Sequence, residues 1–186
     1  LTLSHPTDAF ERPTNEWTYD KVKVGGYADK ADLTYTKEVK LGDIYKDLGL
    51  SDTIAKEKVT FVVDGAASEA GTANDGSTAL NALALSKGDS TKIGGNGVLT
   101  EVFYDKDAGT VKITIVHVYG GEVSSVRAAT STKDANITVT PQNAGRGGNY
   151  ETDEFAVDDV VLYTYSNKSG DVGVQSVVTA EQVTGE

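Results

Sequence analysis

The sequence contains no cysteine and no methionine. Without cysteine there are no disulfides, no thiolate metal sites and no cysteine nucleophile. A secreted eukaryotic domain this rich in loops would often carry disulfides. Their absence points to a bacterial or archaeal exported protein, or to an intracellular one. There are two histidines, His5 and His117. Neither has a neighbouring histidine, so neither builds a zinc site. No nucleophile-elbow sequence accompanies them. Tryptophan occurs once, at Trp17. Positive charge is scarce: 17 Lys and Arg face 28 Asp and Glu, a formal net charge of -11. A surface this acidic repels phosphate backbones and anionic lipid, so nucleic acid is not an expected partner. No apolar run reaches the length of a membrane-spanning helix, so no membrane insertion is expected.

What the chain does have is β patterning. The stretch Gly97–Tyr119 reads as a long hairpin. Val98, Thr100, Val102 and Tyr104 alternate with Leu99, Glu101 and Phe103 in its first arm. Val111, Ile113, Ile115, His117 and Tyr119 share a face in the second arm. Lys106–Gly109 supplies the turn. A strand or short hairpin is expected at 16–24, and further strands at 33–40, 58–64, 122–127, 136–140, 152–155, 159–165 and 173–179. Leu41, Ile44, Tyr45 and Leu48 keep helical spacing, with Gly49 at the stop position. The expected fold is mainly β, an antiparallel sandwich or small barrel, with one short helix near 41–49.

The expected organisation has three parts. Residues 1–16, broken by Pro6 and Pro13, form a lead-in. Residues 17–119 form a β-rich subdomain with the helix and a long loop at 65–97. Residues 120–186 form a small barrel- or sandwich-like subdomain, after a break at Gly120-Gly121. The chain opens on Leu1 and closes without a stop signal, and is read as one bead of a longer protein. Gly94-Gly-Asn-Gly97 lacks the following helix and Lys-Ser/Thr pair of a phosphate loop.

Several phrases occur in order: Thr7–Tyr19 (TDAFERPTNEWTY), Leu41–Gly49 (LGDIYKDLG), Gly97–Asp105 (GVLTEVFYD) running into Val111–Val116 (VKITIV), and Asp159–Thr164 (DVVLYT). Together they resemble the non-anchor, β-rich regions of large cell-surface proteins of gut Clostridia-type bacteria that carry S-layer homology domains. The chain contains no such homology domain, so no wall-binding residues transfer to it. The resemblance implies an exported, cell-wall-associated module with a structural or adhesive role. It implies an extracellular location, with neighbouring modules of the same longer chain and a cell-wall polymer or glycan as partners.

Local chemistry offers few candidates. Asp105 and Asp107 with Gly109 partly match a calcium loop, but lack a third oxygen ligand and a terminal glutamate; otherwise they form a polar turn. Ca²⁺ is the one cofactor considered, and none is required. Asp153-Glu154 and Asp158-Asp159 flank Phe155–Val157 as an acidic cluster, which a solvated edge explains as well. Trp17 is a core anchor or a sugar-stacking platform. An isopeptide staple could draw on Lys21, Lys23 or Lys37 with Asn136, though nothing singles out a trio. The leading expectation is a non-catalytic structural or adhesive surface module. The alternatives are a glycan-binding adhesin using loop 65–97 or 143–150, and a glycosidase using paired carboxylates.

Overall fold

Alternation along the Gly97–Tyr119 stretch is realised as two long paired strands, and the second of them also pairs with three further strands. The computed structural model describes residues 7–14, 29–67 and 71–180, and the backbone of 17–19 and 22–24. In chain order the strands are β1 (Trp17–Tyr19), β2 (Val22–Val24), β3 (Leu33–Tyr35), β4 (Val39–Lys40), β5 (Val59–Val63), β6 (Lys92–Ile93), β7 (Val98–Asp105), β8 (Thr110–Arg127), β9 (Asn136–Pro141), β10 (Gly148–Tyr150), β11 (Val160–Ser166) and β12 (Gly173–Thr179). One α-helix, α1 (Leu41–Asp47), follows β4. The protein is mainly β, with one short helix among the described residues, and it divides into two compact units, Leu1–Val116 and His117–Glu186.

In the first unit the sheet runs β3, β7, β8, β5. β3 is antiparallel to β7, whereas β5 lies parallel to β8, from Val59 opposite Val111 to Val63 opposite Ile115. The helix makes that one parallel pair available, because α1 and the turn at Lys56–Lys58 carry the chain across before β5 begins. Phe61, Val102, Ile113 and Ile115 pack with Leu41, Ile44 and Tyr45 of α1 in one core. Residues 71–97 of the expected 65–97 loop form a wall of this core. Ala73, Leu80, Leu85 and Ile93 are buried in it, and Leu85 bridges Ile54 through paired backbone hydrogen bonds of 2.9 Å. Val39 and Lys40 form their own strand, paired with β6, so the expected single strand over 33–40 is two.

The segment 7–14, read as a lead-in, is docked on this unit. Phe10 is 8% exposed and Thr14 5%. Val62, Thr114 and Val116 are buried but alternate with Phe61, Ile113 and Ile115, so they face away from the helix. Glu101 and Lys112 likewise lie on that far face, and both hold the segment. Arg12 Nη1 meets Glu101 at 3.0 Å, and Lys112 Nζ donates to the Glu11 carbonyl at 3.0 Å. The prolines terminate regular structure there, but the side chains still pack.

In the second unit the order is β10, β9, β8, β11, β12, all antiparallel. β10 and β12, at the two ends of that order, lie beside one another. The sheet therefore curls round Val123, Ile137, Val139, Val161, Tyr163, Tyr165, Val174 and Val177. The expected break at Gly120-Gly121 does not occur, because β8 passes through both residues without interruption. A Cβ on Gly121 would sit 2.8 Å from the Thr140 carbonyl and 2.8 Å from Tyr163 Cε1. The glycine thus makes room for a ring inside a continuous strand. Nor is there a strand at 152–155: the Glu154 amide donates to Thr152 Oγ1 and the Ala156 amide to Asp159 Oδ2, which commits that backbone to turns. The strand in this region is β10 instead.

Candidate functional site

The first unit carries a belt of hollows round α1. The helix starts without a side-chain cap; carbonyls from the loop after Lys87 do that work. Leu41 N–H donates to Thr91 O at 2.9 Å and Gly42 N–H to Asp89 O at 3.0 Å. Only glycine allows this approach, since a Cβ on Gly42 would lie 2.7 Å from Asp89 O. The helix stops at Gly49, which has φ of 67° and whose N–H donates to Lys46 O. Between helix and loop lies a hollow of about 680 Å³. Lys40, Lys46 and Lys87 border it opposite Asp43 and Asp89, with Tyr45, Leu50 and Ser51 on its wall.

Two smaller hollows continue it. One of about 460 Å³ shares Asp43 and Lys46 with the first and adds Tyr35 and Lys37. The other, of about 430 Å³, shares Gly49, Leu50 and Ser51 and adds Tyr104 and Lys106.

The charges here are unequal in their commitments. Asp89 Oδ1 accepts the Thr91 amide at 2.8 Å, and Asp47 Oδ2 accepts the Tyr35 hydroxyl at 2.8 Å. Burial and that bond to Asp47 both push the Tyr35 hydroxyl well above its ordinary value. Glu38 is bonded to Lys92 at 2.7 Å and to Asn74 at 2.9 Å, and the Lys92 bond leads in holding its carboxyl below the usual range. By contrast Lys37, Lys40, Lys46, Lys87 and Lys106 make no ion pair among the described residues. Lys37, Lys40, Lys46, Lys87 and Lys106 are matched in number along the three hollows by Glu38, Asp43, Asp47, Asp52 and Asp89, so the belt is formally balanced in charge.

The residues singled out from sequence lie elsewhere. Asp105 Oδ1 accepts the amides of Asp107 and Ala108 at 3.0 and 2.9 Å, so it closes the hairpin turn. Among the described residues no three His, Asp or Glu side chains gather to hold a metal ion. Trp17 stands in β1 opposite Val24; its side chain lies outside the described residues, as do His5 and Lys21 entirely and the Lys23 side chain. Lys37 is exposed, a poor setting for an isopeptide staple, and Asn136 opens β9 opposite Arg127. Glu151, Asp153, Glu154 and Asp158 are exposed along the turns before β11.

In the second unit His117 stacks on Tyr119 at 6.0 Å, and Tyr119 meets Tyr163 at 5.7 Å. The loop 142–147 folds over them, with the Cβ position of Gly145 only 2.8 Å from the Tyr119 ring. Among the described residues no helix is long and apolar enough to cross a membrane. No family model matches this sequence, and neither a curated protein nor a solved structure matches it.

Proposed function

We propose that this chain is a non-catalytic structural and adhesive module of a bacterial cell-surface protein, extracellular and associated with the wall. The observation that carries this reading is β8. The strand is hydrogen-bonded on both sides, to β7 and β5 in the first unit and to β9 and β11 in the second. Each unit is thus assembled on a stretch of the same strand. A chain given over mainly to paired strands suits a structural module. The sequence resemblance to surface proteins carrying S-layer homology domains points the same way.

The adhesive part of the role rests on the belt of hollows round α1, a concave surface lined by Tyr35, Tyr45 and Tyr104 and by charged groups of both signs. The test is location. Antibodies raised against the folded chain should label intact cells of the bacterium that makes it, and protease added to such cells should remove the label. Label that emerges only after lysis would sink the surface assignment.

A further inference from the structure

We propose that loop 142–147 is a lid over a binding site for one neutral sugar ring, a pyranose with equatorial hydroxyls. The site lies where Tyr119 and Tyr163 meet in the curled sheet of the second unit, and it stands apart from the hollows round α1. Three observations lead to it.

The first is an orphaned hydroxyl. Tyr163 is 1% exposed, and its hydroxyl has no hydrogen-bond partner. A buried hydroxyl has given up its bonds to water, and this one receives nothing in return. What covers it is the loop: the Cβ position of Gly145 lies 3.2 Å from the Tyr163 oxygen. When the loop lifts, the hydroxyl gains a partner, from water or from a ligand.

The second is how the loop is held. Gln142 N–H donates to Gly120 O at 3.1 Å, and Gly148 enters β10 opposite Val139, so both ends of the loop are fixed. Residues 143–147 make no hydrogen bond among the described residues, and all of them are exposed. Lifting that stretch breaks no hydrogen bond, which puts it among the parts of the fold that open most easily.

The third is what lies underneath. Tyr163 in β11 stands opposite Tyr119 in β8, with ring centroids 5.7 Å apart, and His117 stacks on Tyr119 at 6.0 Å. The backbone of Gly145 rests against the Tyr119 ring, its Cβ position 2.8 Å from Cδ1. An aromatic face with a phenol hydroxyl beside it matches a sugar ring: the axial C–H groups pack on the face and an equatorial hydroxyl bonds the phenol. The tyrosines carry no charge to answer an ionic group, so the ring is a neutral one. The mouth of a curled β-sheet is a recurrent place for such a site.

The experiment uses the full chain and a β-1,4-linked glucose hexamer, followed by calorimetry and by NMR of tyrosine ring protons. The expected result is binding, with shifts at Tyr119 and Tyr163. Tyr163→Phe keeps the ring and removes the hydroxyl. It should weaken binding by about fivefold while Tm holds or rises, a pair of signs that a merely structural hydroxyl would not give. Gly145→Ala should lift the lid, because φ of 127° is strained for alanine and its methyl group would strike Tyr119. Apparent affinity scales with the open fraction, so this variant should bind about threefold tighter or better. Gly95→Ala, in open space in the first unit, should change nothing.

Any of five results would overturn the proposal. They are silence of both parent and Gly145→Ala toward the hexamer, full affinity in Tyr163→Phe, a folded Gly145→Ala that binds no tighter than the parent, ring shifts confined to Tyr35 and Tyr104, and equal displacement by cyclohexanol. The fourth would seat the sugar in the hollows round α1, and the fifth would mean an apolar hole. Should Gly145→Ala fail to fold, Tyr163→Phe decides alone. The location test is separate: a chain displayed on cells but silent toward the hexamer refutes this inference and leaves the surface reading standing.

Discussion

Gly121→Ala puts one methyl group into the middle of β8, and its consequences can be worked from three distances. The new carbon would lie 2.8 Å from the Thr140 carbonyl oxygen, 2.8 Å from Tyr163 Cε1 and 3.0 Å from Val139 Cγ1. The first neighbour is backbone, held by the β8–β9 ladder on either side of Glu122 and Thr140. The second belongs to a ring that is 1% exposed and cannot swing into solvent. The third lies in the same core. None is the free end of a flexible side chain, so the strand or the ring must move. Inserting a methylene-sized group into a close-packed site costs about 1–3 kcal/mol, and three simultaneous contacts put this site at the upper end. Alanine recovers about 0.5–1 kcal/mol through lost chain entropy in the unfolded state. The net loss should be about 2 kcal/mol.

For a unit of this size melting on its own, that corresponds to a fall of about 8–16 °C in Tm, and to about half as much if the whole chain melts together. Calorimetry reads the shift, and hydrogen exchange by mass spectrometry should localise it to the amides of β9 and β11. Gly95→Ala is the control, since no atom lies within 4 Å of its Cβ position. Adding Tyr163→Leu should relieve one of the contacts, so the double variant should lose about 1 kcal/mol less than the sum of the single losses. A Gly121→Ala protein that melts within about 2 °C of the parent, with unchanged exchange in β9 and β11, would refute the close-packing argument.

Other substitutions probe the remaining features. Arg12→Gln removes the links to Asp8 (2.7 Å) and Glu101 (3.0 Å) and the cation lying 5.4 Å over Phe10; it should cost about 2 kcal/mol and speed exchange in residues 7–14 and β7, and unchanged exchange would deny that this segment is docked. Thr114→Val keeps the shape of a 1% exposed side chain whose hydroxyl has no hydrogen-bond partner; denaturant midpoints should rise by the equivalent of about 1 kcal/mol, and a fall would mean that the hydroxyl is used. The Asp75 carboxylate accepts Thr78 Oγ1 and the amides of Thr78 and Ser77, bonds that lower its pKa to about 2. Folding lowers this pKa, so its stabilisation is complete above the ordinary aspartate value of about 3.9 and is lost as pH falls toward the folded value. A carboxyl-carbon NMR titration should place the midpoint at about 2, and Thr78→Ala should move it up toward the ordinary range; an unmoved midpoint would remove the assigned cause.

The legible and illegible parts of the fold divide along a physical line. Strict period-2 alternation made β7 and the first half of β8 readable, and helical spacing at Leu41, Ile44, Tyr45 and Leu48 did the same for α1, with Gly49 marking its end. Both signals depend only on neighbours in the chain. What could not be read depends on distant contacts. Ala73, Leu80, Leu85 and Ile93 enter one core from irregular spacings, so 65–97 looked like loop. Phe10 and Arg12 sit among prolines, and only Glu101 and Lys112 on the sheet explain why that stretch docks. Gly120-Gly121 looked like punctuation because glycine usually is, whereas at Gly121 it answers a steric demand from Tyr163.

The belt was harder still to see. Lys37, Lys40, Lys46, Lys87 and Lys106 are spread over much of the first unit's chain, and each alone is an ordinary surface lysine. Asp105, Asp107 and Trp17 stand out in the sequence because their residue types carry chemistry even in isolation. What marks the lysines is that the structure gathers them round one helix with Glu38, Asp43, Asp47, Asp52 and Asp89, a juxtaposition that depends on contacts distant in the chain.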